Sequence, residues 1–142
     1  MKDNIVCSGA LFYATSTKRF LFLQRTHKKT QGLWGLVGGK SKFTESAFEG
    51  LKREIEEEVG NTPKFKKVIP LEMFTSNDQK FFFHTYLIAV DGEFIPKLNE
   101  EHSGYCWTEF ECWPKNLHMG LRNTLNNKSI KGKLQTILDL IV

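Results

Sequence analysis

Residues 39–60 read Gly39-Lys-Ser-Lys-Phe-Thr-Glu45-Ser-Ala-Phe-Glu-Gly50-Leu-Lys-Arg53-Glu54-Ile55-Glu56-Glu57-Glu58-Val59-Gly60, and the fold follows from this stretch. Ala47, Leu51, Ile55 and Val59 recur at every fourth position, which is a helical period. Thr44 stands where an N-cap belongs and Gly60 where a C-cap belongs, with Pro63 shortly after. At about 100° per residue, Glu54, Glu57 and Glu58 fall within about 100° of one another. Gly50 lies on the same side one turn earlier, with no side chain to block access. The apolar residues fill the adjoining arc, so the helix can dock on a sheet while its carboxylates gather at the seam. Like charges at this spacing repel by a few tenths of a kcal/mol per pair. A hard divalent cation such as Mg²⁺ would relieve that, since it suits oxygen ligands and leaves positions for water and substrate phosphates. For the Glu run alone, the rival reading is an exposed acidic helix balanced by Lys52 and Arg53.

Working outward, residues 4–14 and 19–25 read as strands joined by the polar turn Thr15-Ser16-Thr17-Lys18. Residues 26–32 form a basic loop, and the apolar run 33–37 stops at Gly38-Gly39. Beyond the helix, residues 65–74 and 80–90 read as strands with Ser76-Asn77-Asp78 as their hairpin connection. A loop at 91–103 leads to a strand at 104–110, and short helices are predicted at 118–125 and 134–141. No repeat or linker interrupts the chain. The order strands, helix, strands, helices predicts an α+β fold, an α/β/α sandwich with a mixed β-sheet, in one domain over residues 1–142.

Composition narrows the function classes. At 40% hydrophobic and 25% charged, the 142 residues exclude a disordered or low-complexity chain. Twelve Phe supply a bulky core. The apolar runs are shorter than the roughly 20 residues of a membrane helix, and the first four residues show no signal peptide. Cys7, Cys106 and Cys112 form neither a CxxC pair nor an even disulfide framework, which points to the reducing cytoplasm. Lys2, Lys18, Arg19, Arg25, Lys28, Lys29, Lys40 and Lys42 precede the helix against Asp3 alone. A basic front followed by an acidic knot suits an anionic substrate met by a bound cation; the rival is a merely solubilising surface. The net charge of +4 is thin for nucleic-acid binding.

The spacing of residues 39–60 reproduces the pattern G-x5-E-x7-R-E-U-x-E-E-x-G-U, with U apolar. On it the chain resembles Nudix (MutT-like) hydrolases over most of its length. Gly39, Glu45, Arg53, Glu54, Ile55, Glu57, Glu58 and Gly60 match, and Asn61 stands where the pattern has an apolar residue. The lead-in from Gly32 to Lys40 is similar to the family's, with Val37 where Pro is common. The resemblance implies hydrolysis of a nucleoside diphosphate linked to another group, a nucleotide sugar slightly ahead of dinucleoside polyphosphates. It further implies Mg²⁺, with Mn²⁺ as the alternative, held by Glu54, Glu57 and Glu58 with the carbonyl of Gly38. Arg53 would orient these carboxylates and Glu45 support the loop-to-helix junction.

Asn99-Glu100-Glu101-His102-Ser-Gly-Tyr105-Cys-Trp107 resembles the acidic loop that many Nudix enzymes present opposite this motif, closest to the Glu-x-His-x-x-Tyr-x-Trp run of the GDP-mannose hydrolase branch. Glu101 is thereby a candidate metal ligand or general base, and His102 a candidate base or leaving-group contact; the rival for both is a solvated loop. In that branch the residue at Arg25 contacts the diphosphate, against a strand-end salt bridge as the rival. Lys40 faces either the phosphates or solvent. Trp34 either stacks on a base or packs beneath the Gly38-Gly39 loop, with packing preferred; Phe81-Phe82-Phe83 reads as alternating core and sheet face rather than a base platform; Trp107 and Trp113 are assigned to packing. The other readings are a (d)NTP pyrophosphatase, an RNA 5′-pyrophosphohydrolase and a non-catalytic nucleotide-binding module, as monomer or homodimer, with no membrane partner.

Overall fold

Ile5–Ala14 forms a ten-residue strand, β1, whose side chains alternate between two apolar layers. Leu11 and Tyr13 enter one layer, and Ala10, Phe12 and Ala14 the other. Burial on both faces accounts for its nearly unbroken apolar sequence. In the computed structural model, which describes residues 4–141, β1 pairs in parallel with β6 (Phe81–Val90) over its whole length. β5 (Lys67–Thr75) pairs antiparallel with the far side of β6. The Ser76–Asp78 connection is a tight turn in which Asp78 Oδ1 accepts from Ser76 Oγ at 2.6 Å and Lys80 N–H at 3.0 Å.

The other edge of β1 is divided. β2 (Arg19–Arg25) touches it only at Tyr13 and Ala14, then leaves to pair with β7 (His102–Glu109) along its length and with the two-residue β3 (Trp34–Gly35). β4 (Val37–Lys40) takes the vacated edge opposite Cys7–Ala10. The run expected to stop at Gly38-Gly39 therefore continues as strand through both glycines, because their backbone completes the ladder with β1. A mouth opens where the sheet splits.

Helix α1 (Ala47–Val59) covers one face through Leu51, Ile55 and Val59. Helices α2 (Met119–Asn126) and α3 (Lys128–Leu140) cover the other through Leu121, Leu125 and Leu134. The result is the expected α+β arrangement with a mixed sheet between helical layers. The N-cap of α1 is Ser46 rather than Thr44: its hydroxyl accepts from Glu49 N–H at 3.1 Å while Glu49 Oε1 accepts from Ser46 N–H at 2.8 Å. The last helix starts six residues before the predicted 134, since Asn127 Oδ1 caps Ile130 N–H at 3.1 Å and Ile130 packs against the core ahead of Gly132. Trp113 packs edge-on against Phe20, Phe22 and Phe110, and Trp107 against Phe94, as expected of core aromatics.

Candidate active site

Docking of α1 places its acidic side over Gly38-Gly39. Gly38 has φ 156°, and a Cβ there would collide with the carbonyl oxygen of Ser8. A Cβ on Gly39 would lie 2.6 Å from Glu54 Oε2, so only glycine lets this carboxylate sit against the strand. Glu58, 2% exposed, accepts from Gly38 N–H at 3.0 Å. Burial pushes its carboxyl up to about 8 against the opposing pull of that N–H, and Glu54 and Glu101 push the same way. Burial likewise raises Glu54, while Arg53 opposes it. Gly50, expected to leave room for a ligand, is buried against Ser41, whose hydroxyl occupies the space a Cβ would need.

Arg53 is the hub on the outer side. It donates through Nε to Glu45 Oε2 at 2.8 Å, through Nη2 to Glu45 Oε1 at 3.0 Å and to the Lys40 carbonyl at 3.1 Å. Its Nη1 reaches Glu54 Oε2 at 3.3 Å and Glu57 Oε2 at 3.4 Å. These bonds, with Lys42 N–H, hold the Glu45 carboxyl down at about 2. Among the described residues no three His, Cys, Asp or Glu side chains are already gathered as a closed metal cage. Arg53 and Gly38 N–H occupy the carboxylates instead. Their chemistry still fits a hard cation: three oxygen donors on one helix face, one of them buried with a single N–H partner.

The opposite wall comes from the ends of β2 and β7. Asn99 ties it to α1: Nδ2 donates to the Glu57 carbonyl at 3.0 Å, and Oδ1 accepts from Glu101 N–H at 2.9 Å. Thr26 fastens the same loop through bonds to the Glu100 and Glu101 carbonyls. His102, read as loop, begins β7 opposite Arg25. It is 8% exposed, its Nδ1 has no hydrogen-bond partner among the described residues, and burial, followed by the Arg25 charge, lowers it to about 4. His118 is lowered by the same two causes.

Both walls border one cavity of about 830 Å³, within the size range of small-molecule sites. Arg25, Gly38, Lys40, Glu54, Glu57, Glu58, Glu101 and His102 all line it, whereas Arg53 stands behind the carboxylates. Phe81 and Phe83, read as part of an alternating core and sheet face, line it too, and so do Glu72, Phe74, Asn123, Thr124 and His118. None of these had a spacing signal. The β5–β6 ladder sets Glu72 and Phe74 beside Thr85 and Phe83, and α2 brings Asn123 and Thr124 over them.

The family model of the NUDIX domain matches residues 5–127, and the chain belongs to the Nudix family. It is a Nudix hydrolase. The fold is similar to that of a MutT NUDIX hydrolase from Burkholderia pseudomallei, at 25% identity and TM-score 0.71 over 88% of this chain and 98% of that one. A MutT protein from Methanosarcina mazei Go1 is similar at 24% identity and TM-score 0.69 over 92% and 94% of the two chains. An Ap4A hydrolase from C. elegans is similar at 19% identity and TM-score 0.69 over 94% and 98%. No curated protein matches the sequence. Nudix hydrolases in general use a divalent metal, and no helix among the described residues is long and apolar enough to cross a membrane.

Proposed function

We propose that the chain hydrolyses a phosphoric anhydride bond in a nucleoside diphosphate joined to a second group, a nucleotide sugar or a dinucleoside polyphosphate, in the cytoplasm and with Mg²⁺. The observation that carries this reading is the cavity that Glu54, Glu57, Glu58 and Glu101 share with Arg25 and Lys40. Carboxylates and cations sharing one wall-to-wall space suit a polyanion brought to a metal. The Ap4A substrate named for the similar C. elegans enzyme belongs to this class.

Glu54, Glu57 and Glu58 would hold the ion, with the Gly38 carbonyl and Glu101 as further oxygen donors. When bound, the ion neutralises the diphosphate and lowers the pKa of a coordinated water. Arg53 holds Glu54 and Glu57 at the seam, and Arg25 and Lys40 balance the remaining phosphate charge. Glu101, held between Asn99 and Thr26, is the proposed proton acceptor. His102 is a weaker base at about 4, so we assign its unpartnered Nδ1 to contact with the leaving group.

The test is a substrate panel of nucleotide sugars, dinucleoside polyphosphates and (d)NTPs with Mg²⁺ or Mn²⁺, with products identified in ¹⁸O water. Turnover of the first two classes, with Glu57→Gln and Glu58→Gln each lowering kcat at least about a hundredfold, is expected. Wild-type rates in both variants, or turnover confined to (d)NTPs, would overturn the reading.

A further inference from the structure

The end of the cavity away from the carboxylates has walls of a different kind. Phe74, Phe81 and Phe83 form one side, Asn123 and Thr124 of α2 form another, and Glu72 stands between them. Glu72 is there because of a bulge. The β5–β6 register runs Ile69↔Leu87 and Pro70↔Tyr86, then resumes at Glu72↔Thr85 and Phe74↔Phe83, leaving Leu71 as the extra residue. Strict alternation from Ile69 would turn Glu72 and Phe74 toward the α1 face and Met73 inward. The bulge reverses this: Glu72 and Phe74 share the cavity face with Thr85 and Phe83, and Met73 is 59% exposed. Bulges commonly re-aim a side chain beside an active site. The device is also braced, since Lys133 Nζ donates to the bulged Leu71 carbonyl at 3.0 Å and Thr124 O–H donates to Glu72 Oε1 at 2.7 Å.

Such walls do not suit phosphate. The cationic side chains lining the cavity, Arg25 and Lys40, lie on β2 and β4 at the other end. Aromatic faces suit a stacked base, and a carboxylate accepts hydrogen bonds without donating any. One bond from Thr124 leaves both Glu72 oxygens able to accept. A base that presents two adjacent donors, N1–H and a 2-amino group, meets that demand. Adenine instead turns an unprotonated N1 toward the carboxylate.

We propose that Glu72 selects the base, and that the substrate of this site is a guanine nucleotide. The inference rests on the nucleoside diphosphate reading above, and it adds a residue of specificity that lies outside α1 and the acidic loop.

The probes are GMP, IMP and AMP, titrated calorimetrically without metal into the wild type, Glu72→Gln and Thr124→Val. Wild type should bind GMP about tenfold or more tighter than AMP, with IMP, lacking the 2-amino donor, between them. Glu72→Gln offers one donor and one acceptor, so it should erase the preference or reverse it toward AMP. Thr124→Val keeps the carboxylate and loses its brace, and should retain a reduced preference. Equal affinities in the wild type, or an unchanged preference in Glu72→Gln, would overturn the assignment. So would hydrolysis of a nucleoside diphosphate derivative by a protein that binds none of the three monophosphates. A GMP preference in a protein that hydrolyses no such derivative would leave Glu72 in place and sink the proposed reaction instead.

Discussion

Glu45 does not line the cavity, yet it sets where the α1 carboxylates stand. Its two oxygens take the Nε and Nη2 of Arg53, which leaves Nη1 for Glu54 and Glu57. Because the folded carboxyl is held at about 2, below its ordinary 4.5, its contribution to stability is complete above pH 4.5 and fades as pH falls toward 2. Glu45→Gln should therefore melt below the wild type at pH 6, and the gap should narrow at pH 4 and narrow further at pH 3. A gap of constant size across those melts would show that the Glu45 charge is not what holds Arg53. Glu101 and His102 divide by the same residue-level reasoning. Glu101→Gln should lower kcat by about a hundredfold or more with little change in KM, as expected for a group needed in the transition state. His102→Gln should raise KM more than it lowers kcat; the reverse pattern in steady-state kinetics would exchange their roles.

At the scale of elements, α1 is a helix whose start is fixed by a reciprocal cap and whose docking is fixed by Ser8 Oγ donating to the Ala47 carbonyl at 2.9 Å. Ser46→Ala should cost about 1 kcal/mol of unfolding free energy, measured in urea, while the remaining folded fraction keeps its specific activity. A loss of specific activity larger than the loss of folded protein would mean that the cap also aims the carboxylates. The helix was legible in the sequence because period and spacing are local properties, and the seam of Glu54, Glu57 and Glu58 follows from the same geometry. The cap was misplaced by two residues because Thr44 and Ser46 are equivalent as residue types; only the partner Glu49, three positions after Ser46, separates them. β5 defeated a period-2 reading for a stronger reason. The bulge at Leu71 changes which face Glu72 and Phe74 occupy, and Pro70 just before it marks an irregular or edge strand without telling which residue is the extra one. That Phe81 and Phe83 border the cavity depends on the approach of β5 and α2, which no local pattern in residues 81–83 encodes.

For the molecule as a whole, the split between β1 and β2 joins the two halves of the site. β4 carries Gly38 and Gly39 into the gap, α1 brings its carboxylates over them, and the diverging β2–β7 pair carries Arg25, Glu101 and His102 to the facing wall. The sheet is thus both the core and the frame of a cavity of about 830 Å³ lined by charges of both signs. Burial raises the carboxyls of Glu54 and Glu58, and neighbouring carboxylates add to it: Glu57 and Glu101 act on Glu54, and Glu54 and Glu101 on Glu58. A divalent cation that binds only the folded arrangement relieves that repulsion and adds RT ln(1 + [L]/Kd) to stability. At ten times Kd this is about 1.4 kcal/mol, which for a chain of this size raises Tm by roughly 3–6 °C. Differential scanning calorimetry with and without millimolar Mg²⁺ should show that rise in the wild type and not in Glu58→Gln. Glu58→Gln without metal should melt no lower than the metal-free wild type, since it replaces a buried acid by a neutral side chain of the same shape. A wild-type melt unmoved by Mg²⁺ and by Mn²⁺ would mean that the folded frame does not hold these carboxylates ready for an ion. The fold would then be a Nudix frame whose metal arrives only together with the substrate's phosphates.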